Sequence, residues 1–257
     1  MSERPGGSPH HPYIPKVQHS QNTTSAPLGP GANAPHGSGH SPYDVATCRG
    51  GHPCPGGSGC PHLITNPGDL AQRITALLRR QLASRPASSP HNILRVALAG
   101  CPNSCSQPQI RDFGLQARAP VDITEAPCLF CGACVDACPE RFVELTAAGP
   151  HISAGCLACG RCVRACPSGT LRSGAPGWTL LVGGKLGRTP QLAEPIGHGL
   201  DDDAVIERIT AILTAYLRQE AQGEPIRQGE RLRTWLDRTK WEVSPLGSQP
   251  GSGKMAD

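Results

Sequence analysis

Apolar residues in this chain fall into a few periodic stretches, set between long runs of Gly, Pro and polar residues. Leu70, Ile74, Leu77, Leu78 and Leu82 recur at helical spacing. They predict a helix with Asp69 as its N-cap, closed before Pro86. The apolar run 93–99 stops at Gly100 and predicts a buried strand. Trp178 to Val182 predicts another. The carboxylates Asp201, Asp202 and Asp203 suit a helix N-terminus. Val205, Ile206, Ile209, Leu213, Tyr216 and Leu217 then make one apolar stripe, ended by Gly223 and Pro225. A short helix is expected over 229–240, carrying Leu232, Trp235 and Leu236. Residues 1–47 and 244–257 have no period and are expected to be disordered tails. His10, His11, His19, His36 and His40 fall in the first tail at irregular spacing, which favours a polar tail over a metal-binding tract.

Composition sharpens this picture. The chain has 257 residues with 31 Gly and 27 Pro, 37% apolar and 4% aromatic. Such a chain is poor in core-forming side chains, so something besides hydrocarbon must hold part of it together. Its 13 cysteines are the evident staples. No apolar run approaches the roughly 20 residues of a membrane span, and residues 1–47 contain no apolar stretch of the signal-peptide kind. The net charge of +4, without basic clusters interleaved with aromatics, gives no reason to expect nucleic-acid binding.

The cysteine spacing carries the chemistry. Cys128-x2-Cys131-x2-Cys134-x3-Cys138-Pro139 is repeated as Cys156-x2-Cys159-x2-Cys162-x3-Cys166-Pro167. A disulfide needs one facing partner, whereas a cubane cluster needs four converging thiolates. The x2-x2 loop wraps one face of a cube, and the Cys-Pro of the other repeat supplies the fourth ligand. One cluster is therefore assigned to Cys128, Cys131, Cys134 and Cys166, and a second to Cys156, Cys159, Cys162 and Cys138. Zinc sites usually space their cysteines as two separated pairs, so paired zinc is disfavoured. Gly132 and Gly160 follow the second Cys of each unit, where backbone must pass close to the cluster. Residues 122–175 resemble a two-cluster bacterial ferredoxin.

Five cysteines remain. Cys54-x5-Cys60 precedes the predicted helix, and Cys101-x3-Cys105 follows the predicted strand. A helix–strand unit can bring two such pairs together, and four thiolates suffice for a third cluster. Cys48 also forms a C-x5-C with Cys54; the Cys-Pro-Gly start at Cys54 is the better match, which leaves Cys48 a free thiol or an alternative ligand. Cys54-Pro55-Gly56-Gly57-Ser58-Gly59-Cys60 and Gly100-Cys101-Pro102-Asn103-Ser104-Cys105 resemble the cluster motif of the sirohaem-dependent sulfite and nitrite reductases. Leu181-Val182-Gly183-Gly184-Lys185-Leu186-Gly187-Arg188 is similar to that family's glycine-rich turn near the macrocycle. A ferredoxin module inserted between these motifs resembles the dissimilatory and anaerobic sulfite reductases.

The resemblance implies an α+β reductase half-domain over 48–121 and 176–243, with the two-cluster ferredoxin domain inserted at 122–175. It implies three 4Fe–4S clusters and sirohaem, with Cys105 as the thiolate shared between the third cube and the sirohaem iron. Lys185 and Arg188 are then candidates for the macrocycle's carboxylates and the anionic substrate, with Arg95 and Arg111 also available. The implied activity is reduction of sulfite or nitrite, with electrons arriving through the ferredoxin clusters from a donor protein or reductase subunit. The family carries another half-domain ahead of its first cysteine motif, so a partner chain supplying that half is a further expectation. The alternatives are a three-cluster electron carrier without sirohaem, and a non-catalytic partner using clusters as staples. Cubane clusters and free thiolates suit a reducing cytoplasm.

Overall fold

The computed structural model describes residues 41–49, 59–83, 93–221 and 230–239. In chain order the elements are β1 (Tyr43–Thr47), α1 (Gly68–Gln81), β2 (Leu94–Ala99), β3 (Phe113–Arg118), β4 (Val121–Ile123), α2 (Ala133–Asp136), β5 (Val143–Thr146), β6 (Gly149–Ile152), α3 (Arg161–Ala165), β7 (Leu171–Ser173), β8 (Gly177–Val182), β9 (Glu194–Leu200), α4 (Asp202–Ala221) and α5 (Leu232–Thr239). The strands β1-β2-β3-β8-β9 form one five-stranded sheet in that order. The first three run parallel, and β8 and β9 join antiparallel. No helix among the described residues is long and apolar enough to cross a membrane.

The alternation of side chains along each strand splits this sheet into two unlike faces. Val96 and Leu98, Phe113, Leu115 and Ala117, and Trp178, Leu180 and Val182 all enter the main core. There they meet Leu70, Ile74, Leu77 and Leu78 of α1 and Val205, Ile209, Ile212 and Leu213 of α4. Apart from Leu181 the intervening positions are small or polar, yet several are equally buried: Ala97, Gly114, Gln116 and Thr179. Helix α5 closes the core with Trp235, whose ring meets Tyr216 edge-on at 5.5 Å. Arg231, just ahead of α5, reaches the buried Asp112 carboxylate at 3.4 Å, and the Arg95 N–H donates to the same carboxylate at 2.8 Å.

The predicted helices and strands in this core are present, with two corrections. The disordered tail expected over residues 1–47 is overturned at Tyr43–Thr47, which is strand β1, in parallel register with Leu94–Leu98. Its short alternation, Tyr43 and Val45 packing on the core, was masked by the polar residues ahead of it. Asp69 is not the N-cap of α1: Pro67 takes that position, and the Asn66 side chain accepts the Gly68 N–H at 2.9 Å. At α4 the carboxylates act as expected, with Asp201 accepting the Ala204 N–H at 2.8 Å. Asp202 accepts the Trp178 indole N–H, and Asp203 pairs with Arg73 of α1. Residues 1–40 of the expected N-terminal tail, the whole C-terminal tail, Gly223 and Pro225 lie outside the described residues.

Between β3 and β8 the chain leaves the sheet and returns. Arg118 and Gly177 are register partners, so exit and re-entry are side by side and the excursion leaves the sheet intact. The excursion contains the β4–β7 and β5–β6 ribbons and the single-turn helices α2 and α3. Its buried cluster is Cys134, Val143, Cys162 and Leu171, so half of the residues at its centre are cysteines. Two aliphatic side chains make a meagre core for a segment of this length, as the composition implied.

Candidate functional site

The excursion repeats its backbone geometry as well as its cysteine spacing. In both units a non-Gly residue and then a Gly take positive φ: Phe130 at 52° and Gly132 at 76°, Ala158 at 54° and Gly160 at 69°. The Phe130 N–H donates to Cys128 Sγ at 3.3 Å, and the Ala158 N–H to Cys156 Sγ at 3.4 Å. The left-handed residue turns its N–H back onto the sulfur two positions earlier, an arrangement that stabilises a thiolate and tunes a bound cluster.

Sulfurs converge across the two units. The Cys134 thiol is pushed up by burial first, with Cys166 of the second unit and Cys128 of the first adding to it. Cys162 is pushed up to about 11 by burial, then by Cys156 and Cys159. Around Cys166 burial acts upward but is outweighed by the Ser168 hydroxyl and by N–H groups of Leu171, Ser168 and Gly169, which hold this thiol below its ordinary value. A narrow pocket of about 20 Å³ is lined by Cys138, Cys156, Cys159 and Cys162, with Pro139 and Gly160 between them. The Phe142 N–H donates to Cys138 Sγ at 3.3 Å. Cys134 thus has Cys166 of the other unit as a neighbour beside Cys128, and Cys138 shares a pocket with Cys156, Cys159 and Cys162, while Cys131 is exposed.

The third group forms at the C-terminal ends of β1 and β2. Cys48 follows β1 and Cys101 follows β2 by two residues, and the parallel pairing makes them neighbours. The Cys48 N–H donates to Leu98 O at 3.0 Å, and the Gly100 N–H donates to Cys48 Sγ at 3.3 Å. Gly100 O in turn accepts the N–H groups of Ile64 and Thr65, which ties the Cys60 loop to the same spot. Burial pushes the Cys101 thiol up, and Cys60, Cys48 and Cys105 each add to the shift. Cys48, read from sequence as left over, therefore stands among these sulfurs, while Cys54 lies outside the described residues. Among the described residues no three His, Cys, Asp or Glu side chains gather tightly enough for a single metal ion.

Cys105 is exposed at the tip of its loop. The glycine-rich turn is strapped to the segment just after it: Gly183 N–H to Asp112 O at 2.9 Å, Gly184 N–H to Arg111 O at 2.8 Å and Ala193 N–H to Gln109 O at 2.7 Å. Gly184 has to be glycine, since a Cβ there would stand 2.5 Å from Gln109 O and 2.7 Å from the Arg111 backbone. Lys185 is half-buried in a paired bridge with Gln191, and Arg188 is exposed. Arg95 is half-buried. Arg111 is also half-buried, and its Nε has no hydrogen-bond partner among the described residues.

The polar face of the sheet adds residues that sequence reasoning missed. Gln116 donates to Ser104 Oγ at 2.6 Å and to Pro102 O at 3.2 Å, and accepts from Arg118 Nε and Nη2 at 3.0 and 2.8 Å. Thr179 Oγ1 and His198 Nδ1 are 3.0 Å apart. Burial and the Arg118 cation hold His198 below its ordinary value of 6.5. The available signal was the placement of Gly114, Gln116 and Arg118 at alternate positions through an otherwise apolar strand.

The nitrite and sulphite reductase 4Fe-4S domain matches residues 45–243. The chain belongs to this family. Most of its length is thus a 4Fe-4S domain of the nitrite and sulphite reductase type. This reductase-family chain is 33% identical over 158 residues to one subunit of the anaerobic sulfite reductase of Salmonella typhimurium, covering 59% of this chain and 46% of that protein. Over 92 residues it is 29% identical to the coenzyme F420-dependent sulfite reductase of Methanocaldococcus jannaschii, covering 36% of this chain and 14% of that one. The chain therefore spans less than half the length of either relative. Among solved structures it is similar to dissimilatory sulfite reductase I, with a TM-score of 0.46, 14% identity, and coverage of 77% of this chain and 53% of that one.

Proposed function

We propose that the chain is the iron–sulfur subunit of a sulfite- or nitrite-reducing enzyme, holding three 4Fe–4S clusters and, at Cys105, sirohaem. In this reading residues 122–175 are a two-cluster ferredoxin domain inserted into the reductase half-domain 48–121 and 176–243. When bound, the cubes supply one-electron storage and sirohaem supplies the metal at which a small oxyanion is reduced. Cys128, Cys131, Cys134 and Cys166 would hold one cube, and Cys138, Cys156, Cys159 and Cys162 the second. The third would draw on Cys54, Cys60, Cys101 and Cys105, with Cys48 as a competing ligand. What this chain's own residues supply is ligation, N–H donors aimed at sulfur, and cations beside an anionic group. Exposed Cys105 fits the first of these roles, and the Arg111 Nε without a hydrogen-bond partner among the described residues, with Lys185 and Arg188 on the strapped turn, fits the last.

The observation that supports this reading most directly is the placement of Cys48 and Cys101 at the ends of adjacent parallel strands, with Cys60 and Cys105 both adding to the upward shift of the Cys101 thiol. The partners would be an electron-donor protein or reductase subunit and a chain completing the macrocycle pocket, in a reducing cytoplasm. Acid–acetone extraction of protein purified anaerobically, alone and with copurifying chains, tests it. A tetrapyrrole with visible absorption beyond the iron–sulfur shoulder is expected, and Cys105→Ser is expected to uncouple it from the cube in EPR. Iron clusters without extractable tetrapyrrole in any preparation would reduce the protein to a three-cluster electron carrier.

A further inference from the structure

Gln116 and Arg118 stand on the polar face of β3, opposite the hydrophobic core. Gln116 is 6% exposed, and both ends of its amide are used: the NH2 holds Ser104 Oγ and Pro102 O, and the carbonyl oxygen takes the Arg118 fork. A bidentate guanidinium on a buried, immobilised acceptor has little rotational freedom. Ser104 is the neighbour of Cys105, so one end of this chain of bonds lies in the Cys101–Cys105 loop. The other end faces the excursion. Arg118 and Cys156 line one open pocket of about 390 Å³, together with Val121, Ala158, Thr179 and His198. The next residue, Ala119, donates its N–H to Ala158 O at 3.0 Å, and Ala158 donates its own to Cys156 Sγ. Arg118 is thus held between the two cysteine systems, on the wall of the same pocket as Cys156.

We propose that Arg118 is a positioning residue that raises the reduction potential of the centre held by Cys138, Cys156, Cys159 and Cys162, with Gln116 fixing its cation between that centre and the Cys101–Cys105 loop. The proposal rests on the iron–sulfur reading above. One-electron reduction adds one negative charge to a cluster without making or breaking a bond. A fixed cation nearby favours the reduced state, and net charge and hydrogen bonding are among the levers that set cluster potentials. Placed at the seam, Arg118 makes the second centre the electron reservoir facing the reductase sheet.

The test is an EPR-monitored dithionite titration of the anaerobically purified full-length chain, with iron content and circular dichroism measured alongside. The centre concerned is identified as the signal altered in Cys156→Ser. Arg118→Gln is expected to make that centre at least tenfold harder to reduce, about 59 mV for one electron, and to move the other centres less. Arg118→Lys, which keeps the charge, is expected to recover at least half of the shift. Gln116→Glu neutralises the cation in place and is expected to shift the same centre in the same direction, which keeps the test open should Arg118→Gln lose iron. Unmoved potentials in iron-replete variants, equal shifts at every centre, or Arg118→Lys behaving like Arg118→Gln would overturn the proposal. A wild-type chain without iron would instead overturn the iron–sulfur reading itself.

Discussion

Gly100 joins the three segments that carry the third group of sulfurs, so a single methyl there is a sharp test of that group. Its N–H donates to Cys48 Sγ, its carbonyl accepts from Ile64 and Thr65, and Cys101 follows it. A Cβ at this position would stand 2.5 Å from Thr65 O and press on the Leu63 side chain. Thr65 O is backbone, and the two hydrogen bonds that approach Gly100 O at 2.8 and 3.2 Å hold that backbone in place. Overpacking of this kind costs about 1–3 kcal/mol, and each strained hydrogen bond adds about 1 kcal/mol, so Gly100→Ala should cost about 3–5 kcal/mol. The cost falls on the seam between the Cys60 loop and β2, away from the helices that build the core. Iron and acid-labile sulfide are therefore expected to fall by about a third, from about 12 to about 8 per chain. The two centres of the excursion should keep their EPR signals. Gly59→Ala is the control, since a Cβ at Gly59 meets nothing within 4 Å among the described residues. A folded Gly100→Ala protein with full iron and an unchanged third signal would refute the reasoning, as would loss confined to the other two centres.

Three further outcomes are expected. Cys166→Ser should abolish or alter the centre containing Cys128, Cys131 and Cys134, although it belongs to the other repeat; EPR of the variant that showed only the Cys156 centre affected would reverse the cross-ligation. Trp235→Ala empties a fully buried site against Tyr216 and should cost about 3–5 kcal/mol in anaerobic urea unfolding, with a cost under about 1 kcal/mol counting against the packing described. His198 has a folded-state pKa below its ordinary 6.5, chiefly through burial and then Arg118, so the unfolded chain binds the proton more tightly. Its contribution to stability is whole above about pH 6.5 and is lost as pH falls through the lowered value. Melting curves between pH 5.5 and 8 should show less acid destabilisation in His198→Gln than in wild type, and identical pH profiles would contradict the assignment.

The candidate centres of the excursion were legible because cluster ligation is written in local spacing: x2-x2-x3 places three sulfurs on one short loop whatever the surroundings. Helices α1 and α4 were legible from their apolar stripes, and β2 and β8 from short apolar runs. What sequence hid is non-local. Strand β1 is five residues long and follows a polar stretch; only pairing with β2 makes it a strand, and only that pairing brings Cys48 to Cys101. The Cys-Pro-Gly start at Cys54 outweighs Cys48 in a purely local reading for that reason. Strand β3 alternates Phe113, Leu115 and Ala117 with Gly114, Gln116 and Arg118, and without its neighbours the polar members read as loop. Strand β9 carries Pro195, Gly197 and Gly199 and sits at the sheet edge, where a proline is tolerated. The Ser104–Gln116–Arg118 chain joins the loop after β2 to one end of β3, so no single-stretch pattern announces it.

The central claim is that cysteine sulfur in this chain is committed to iron cubes. Metal and acid-labile sulfide analysis of the anaerobically purified full-length protein tests it most directly. The account predicts iron and sulfide in equal amounts, each near 12 per chain, with negligible zinc. Stoichiometric zinc, or cystine crosslinks in place of labile sulfide, would contradict it.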